Sequence, residues 1–207
     1  MDTAYLPYQP HLSMAVFALV GAITPGPVNI LALGQSLRYG LPSGLLLVTG
    51  ASLGYTAIVV LLAYGLQLWA LAGPWLLCLQ LMAAAYLVYL AWRVAHSPVQ
   101  TRSPAAEDAR PIQGHWRAVQ IGAVSQCINP KAWLYALSGV SLYTQHGGFD
   151  SVIAFSAISC LCCSLGIGVW AGLGSLAQSH LQSAARQRLA NRILALMLLT
   201  TLWPLLT

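Results

Sequence analysis

The chain has 207 residues, of which 58% are hydrophobic and only 6% charged, with a formal net charge of +5. An ordinary soluble domain carries about 25% charged residues, so a water-soluble fold is excluded: there is too little charge to cover its surface. Three uncharged stretches, Thr3 to Leu37, Tyr39 to Trp92 and Ser151 to Ala185, point to the bilayer as solvent. One span takes about 20 apolar residues, so the middle stretch must hold two. Continuous apolar runs without strict alternation make the spans helices and not barrel strands.

In chain order the predicted spans are 12–37, 41–66, 74–93, 117–143, 150–174 and 189–206. No Lys or Arg precedes the first, and its apolar run is longer than that of a signal peptide, so no cleavage is expected. The breaks are Arg38-Tyr39-Gly40 with Pro42, Gly73-Pro74, the polar stretch Ala95 to His115, Gln145 to Gly148, and Ser175 to Arg188. Trp69, Trp75, Trp92, Trp116, Tyr143 and Trp203 stand near span ends, where amphipathic rings favour the headgroup region. Ile193 to Thr207 alone is short for a span, which predicts that Asn191 and Arg192 snorkel or that the membrane thins there.

The basic residues choose the topology. Arg38 lies in the first connection; Arg93, Arg102, Arg110 and Arg117 flank the third; Arg186, Arg188 and Arg192 flank the fifth. With six spans these three connections share one face, the opposite face has no Lys or Arg, and the positive-inside rule puts both termini outside. The positive charge is therefore topological, and no nucleic-acid partner is expected. Lys131 is the exception, because it falls inside a span.

Two proline elements occupy matched positions: Thr24-Pro25-Gly26-Pro27 in the first span and Asn129-Pro130-Lys131-Ala132 in the fourth. The expected fold is all-α and transmembrane, with six helices as two inverted three-helix repeats and helices one and four broken at Pro. The first repeat covers residues 1–94, a cytoplasmic connection 95–116, and the second repeat 117–207. Paired interrupted helices of this kind mark mid-membrane binding sites in secondary transporters. Thr and Asn are good N-caps and Pro suits the first helical position. Thr24 and Asn129 therefore read as caps of half-helices starting at Pro25 and Pro130, whose positive ends face one central space.

Lys131 sits where insertion costs about 2.5 to 3.5 kcal/mol and where a helix N-terminus disfavours a cation. No Asp or Glu lies within a predicted span, so a substrate carboxylate or phosphate is one expected counter-ion; backbone carbonyls and water are the alternative. Asn29, Gln35, Ser125 and Gln126 lie nearby and read equally as substrate contacts or as helix–helix hydrogen bonds. Gly50 with Gly54, and Gly168 with Gly172, are GxxxG pairs read as helix-packing surfaces. Cys78, Cys127, Cys160, Cys162 and Cys163 all fall in predicted helices. The last three point to different faces, so they read as small buried hydrophobes, with soft-metal ligation the alternative. The histidines form no metal motif. No metal site, cofactor or catalytic residue is expected.

Taken with Gly40, Gly44, Gly50 and Gly54, the Thr24-Pro25-Gly26-Pro27 and Asn129-Pro130-Lys131-Ala132 elements resemble the LysE/RhtB family of amino-acid exporters over essentially the whole chain. The resemblance implies efflux of amino acids or close derivatives across the bacterial inner membrane, coupled to the proton gradient, by a protein that is not an enzyme. Its implied partners are the amino acid and the lipid bilayer, with a homo-oligomer left open. Many members carry an acidic residue where this chain has Tyr55, which favours a neutral substrate over lysine or arginine. The site set is then Thr24, Pro25, Gly26, Pro27, Asn29, Ser125, Asn129, Pro130 and Lys131. Two rivals use the cysteines instead: a cadmium-type metal exporter of similar fold, and a membrane thiol-disulfide conduit built on Cys127.

Overall fold

A computed structural model describes residues 10–66, 113–144, 148–178 and 183–200, with 81, 84–85, 88–89 and 91–96 between them. Among these every regular element is helical. The first predicted span is two helices, α1 (Pro10–Ile23) and α2 (Pro27–Tyr39), bent by 62° at the break. Helix α3 (Leu41–Leu61) follows and ends in a π-helical turn, Leu62–Leu66, where Gly65 takes φ +113°. The fourth span is again a pair, α4 (Gln113–Cys127) and α5 (Pro130–Tyr143). Helix α6 (Gly148–Gln178) and α7 (Ala184–Thr200) complete the described fold. The body of the third span, Cys78, most of 95–116, and Trp69, Trp75 and Trp203 lie outside the described residues.

Length and hydropathy make Leu41–Gly65 and Gly148–Ala177 candidate membrane spans, with the bent α1–α2 pair a third. Leucines such as Leu53, Leu161, Leu165 and Leu176 point outward, the expected arrangement where the surroundings are lipid.

The core is built by crossed packing. Helix α6 runs along both α1 and α2, α3 runs along α4, and α3 and α6 pack against each other. Glycine makes these approaches possible. A Cβ on Gly50 would lie 2.0 Å from the Val119 carbonyl oxygen, one on Gly54 2.9 Å from that of Ala123, and one on Gly122 2.0 Å from that of Leu47. On the other side, a Cβ on Gly166 would meet Ala22 and Ile23, and one on Gly174 the Leu33 carbonyl at 2.2 Å. Close backbone contact of this kind is how membrane helices gain dispersion energy without a hydrophobic drive.

The second GxxxG pair behaves differently from the first among the described residues. A Cβ on Gly168 or Gly172 would meet nothing within 4 Å among the described residues. The eight-residue spacing of Gly166 and Gly174 selects the face toward the broken helix, and the GxxxG pair lies off it. The last helix also differs from expectation. It begins at Ala184, and Asn191 does not snorkel: it is 5% exposed and accepts a 2.8 Å hydrogen bond from Arg38 Nη2. The same guanidinium donates to the Val94 carbonyl at 3.4 Å. The bond gives the buried amide oxygen of Asn191 a donor inside the protein, so that oxygen does not have to reach water.

Candidate functional site

The first break starts with Pro25, which offers no N–H to continue α1 and pushes the preceding Thr24 out of the helical region. Thr24 does not cap the next helix, contrary to the sequence expectation: its hydroxyl turns back to the Val20 carbonyl, a bond a threonine can make to its own preceding turn. The residue at the N-cap is Gly26, extended at φ −164°, ψ 174°, and Pro27, not Pro25, opens α2. No side chain caps the first amides of α2.

Breaking a helix strands its last carbonyls, and here side chains from three helices take them up. Asn29 Nδ2 of α2 donates to Ala22 O at 2.8 Å. Trp170 Nε1 of α6 donates to Ile23 O at 3.0 Å. Lys131 Nζ of α5 donates to Thr24 O at 2.6 Å. Lys131 is thus at a helix C-terminus as well as an N-terminus, and the partial negative charge of α1 stabilises its ammonium. Its nearest counter-charge in the structure is backbone, the second of the two partners open to it from sequence.

The second break follows its expected chemistry. Asn129 caps α5 by accepting from Lys131 N at 3.2 Å, with Pro130 at the first helical position. Asn129 Nδ2 donates to Gln126 Oε1 at 3.3 Å, and Gln126 Nε2 points to Cys163 Sγ at 3.8 Å. Trp133 Nε1 closes the stranded end of α4 through the Cys127 carbonyl at 2.6 Å.

Between the breaks lies a cavity lined by both of them, partly open to the surroundings. Asn29, Gln126, Asn129 and Lys131 supply its polar wall, Tyr55, Tyr135 and Cys163 its amphipathic one, and Ala18, Gly21, Ala22, Ala132 and Ile167 the rest. The Tyr135 ring lies against Gly21, where a Cβ would come within 2.6 Å, and Lys131 Nζ stands 5.8 Å from its centroid, within cation–π range. An aromatic row continues from it: Phe17 is 5.6 Å from Tyr135 and 5.8 Å from Tyr143, and Tyr143 stacks on Phe155 at 5.5 Å.

Of the expected residues, Asn29, Asn129 and Lys131 meet at the cavity; Gly26, Pro27 and Pro130 shape the helix starts beside it. Thr24 contributes its carbonyl, and Pro25 is exposed. Ser125 is buried without lining the cavity, and Gln35 bonds Ser43 across α2 and α3 at 2.9 Å. Tyr135 and Cys163 were not among the expected residues. Tyr135 was findable, lying one helical turn after Lys131 on the same face; nothing local marks Cys163. Among the described cysteines, Cys162 and Cys163 turn apart: Cys162 Sγ turns to the Ala15 carbonyl at 3.5 Å while Cys163 faces the cavity. Among the described residues no three His, Cys, Asp or Glu side chains could share a metal ion.

A central polar cavity rimmed by one cation, between two interrupted apolar helices, defines a membrane carrier for small molecules. The chain belongs to the LysE-type translocator family, whose model matches residues 19–202. It is 34% identical over 186 residues to a cysteine/O-acetylserine efflux protein of Salmonella typhimurium and 33% identical to one of Escherichia coli K12, covering 88% of this chain and 90% of each relative. No solved structure matches it.

Proposed function

We propose that the protein exports small neutral amino acids or their close derivatives from the cytoplasm, of the class named for its cysteine/O-acetylserine efflux relatives. The observation that carries this reading is Lys131, a lone cation placed between a helix C-terminus and a cavity with no lining carboxylate. Lys131 and the uncapped N-terminus of α2 receive the substrate carboxylate; Asn29 and Asn129 present polar groups to the rest of the molecule. A cavity without a carboxylate offers a basic side chain no partner, which favours neutral substrates.

The six spans form two inverted repeats, residues 1–94 and 117–207, joined by the cytoplasmic connection 95–116. The crossed packing supports this: the broken helix of each half rests on the second helix of the other half. Rocking of one half against the other gives alternating access, driven by the proton gradient across a bacterial inner membrane with both termini outside. The test compares extracellular metabolites of cells with and without overexpression. Accumulation of cysteine, O-acetylserine or another neutral amino acid is expected; unchanged neutral amino acids, or cadmium tolerance in their place, would overturn the reading.

A further inference from the structure

The first break presents two opposite half-charges side by side. The carbonyl end of α1 is negative and the uncapped amide end of α2 is positive, separated only by Thr24, Pro25 and Gly26. Three donors occupy the α1 carbonyls: Asn29 on Ala22, Trp170 on Ile23 and Lys131 on Thr24. The first two come from buried or packed side chains of α2 and α6. The third is different, because Lys131 reaches it with a flexible stem that lies over Gly26, where a Cβ would sit 3.4 Å from both Cδ and Nζ. The Lys131–Thr24 contact is an ammonium on a carbonyl, which is the contact an α-amino acid can replace at both ends at once.

We propose that the zwitterionic substrate inserts into this bond: its carboxylate takes Lys131 Nζ, and its α-ammonium takes the Thr24 carbonyl that Lys131 releases. The ammonium subsite is therefore the C-terminus of α1, with no acidic side chain involved. A carboxylate without an ammonium strips the carbonyl of its donor and returns none. An amine without a carboxylate must compete with Lys131 for the same oxygen and leaves that cation unpaired. The site thus selects for both charges together, the cost of an unpaired polar group being the source of discrimination. This inference rests on the proposed export function and deepens it.

The test uses purified protein in proteoliposomes, with radiolabelled L-cysteine kept reduced and two truncated competitors, 3-mercaptopropionate and cysteamine. Each lacks one charge and keeps the thiol. Both are expected to compete at least about tenfold more weakly than cysteine, the factor that about 1.4 kcal/mol supplies. In Lys131→Gln, residual cysteine transport or binding loses its preference over cysteamine, because the carbonyl no longer has a competing cation. If cysteine is transported and 3-mercaptopropionate competes within threefold of it, the ammonium subsite is wrong while export stands. If neither cysteine nor any neutral amino acid is transported by the wild type, the export reading itself falls.

Discussion

Lys131 is held by geometry that has little to do with its own helix. Its backbone N–H is spent on the Asn129 cap and its ammonium on the carbonyl of another helix, so the side chain bridges the two breaks. Lys131→Gln removes the charge and keeps much of the length; export is expected to fall at least about tenfold, with membrane abundance unchanged on immunoblotting. Trp170 has the complementary role of closing a carbonyl without lining the cavity. Trp170→Phe strands the Ile23 carbonyl and is expected to cost about 0.5 to 2 kcal/mol, seen as a lower midpoint in thermal unfolding in detergent.

At the scale of elements, the glycines separate contact from pattern. Gly50 in α3 has the Val119 backbone where a side chain would go, whereas a Cβ on Gly168 in α6 would meet nothing within 4 Å among the described residues. Gly50→Val is expected to destabilise by about 1 to 3 kcal/mol or more through overpacking, while Gly168→Ala stays within about 0.5 kcal/mol. Thermal unfolding of the two variants side by side checks the contrast. The caps divide in the same way. Asn129→Ala removes a side-chain cap and is expected to cost about 1 kcal/mol; Thr24→Val removes only a back-bond to Val20 and leaves α2 intact. Both proline elements look like half-helix starts in sequence, and only the second has its cap where the residue types suggest. The reason is that Thr can bond either the turn before it or the turn after it, and two prolines separated by a glycine leave the choice to the surrounding helices.

For the whole molecule, the proposed six-span topology, with an odd number of spans per half, is the arrangement that ties the distribution of Arg residues to the crossed packing, and a reporter fusion tests it. A periplasmic reporter such as alkaline phosphatase fused after Thr207 is expected to be active, and inactive when fused within the 95–116 connection. The opposite pattern would reverse the topology. The amino-acid sequence by itself determined the membrane class, the boundaries of the first, second, fourth and fifth predicted spans to within about four residues, the two breaks and the isolated cation, because hydropathy, proline and charge act locally along the chain. Which atoms the break exposes, and who takes them, was decided by tertiary structure. Ala22, Ile23 and Thr24 lose their helical partners in sequence, but their new donors come from positions 29, 170 and 131. Long-range backbone approach is what brings those donors within reach, and on the α1–α2 side it is set by Gly166 and Gly174, which no local pattern distinguishes from Gly168 and Gly172.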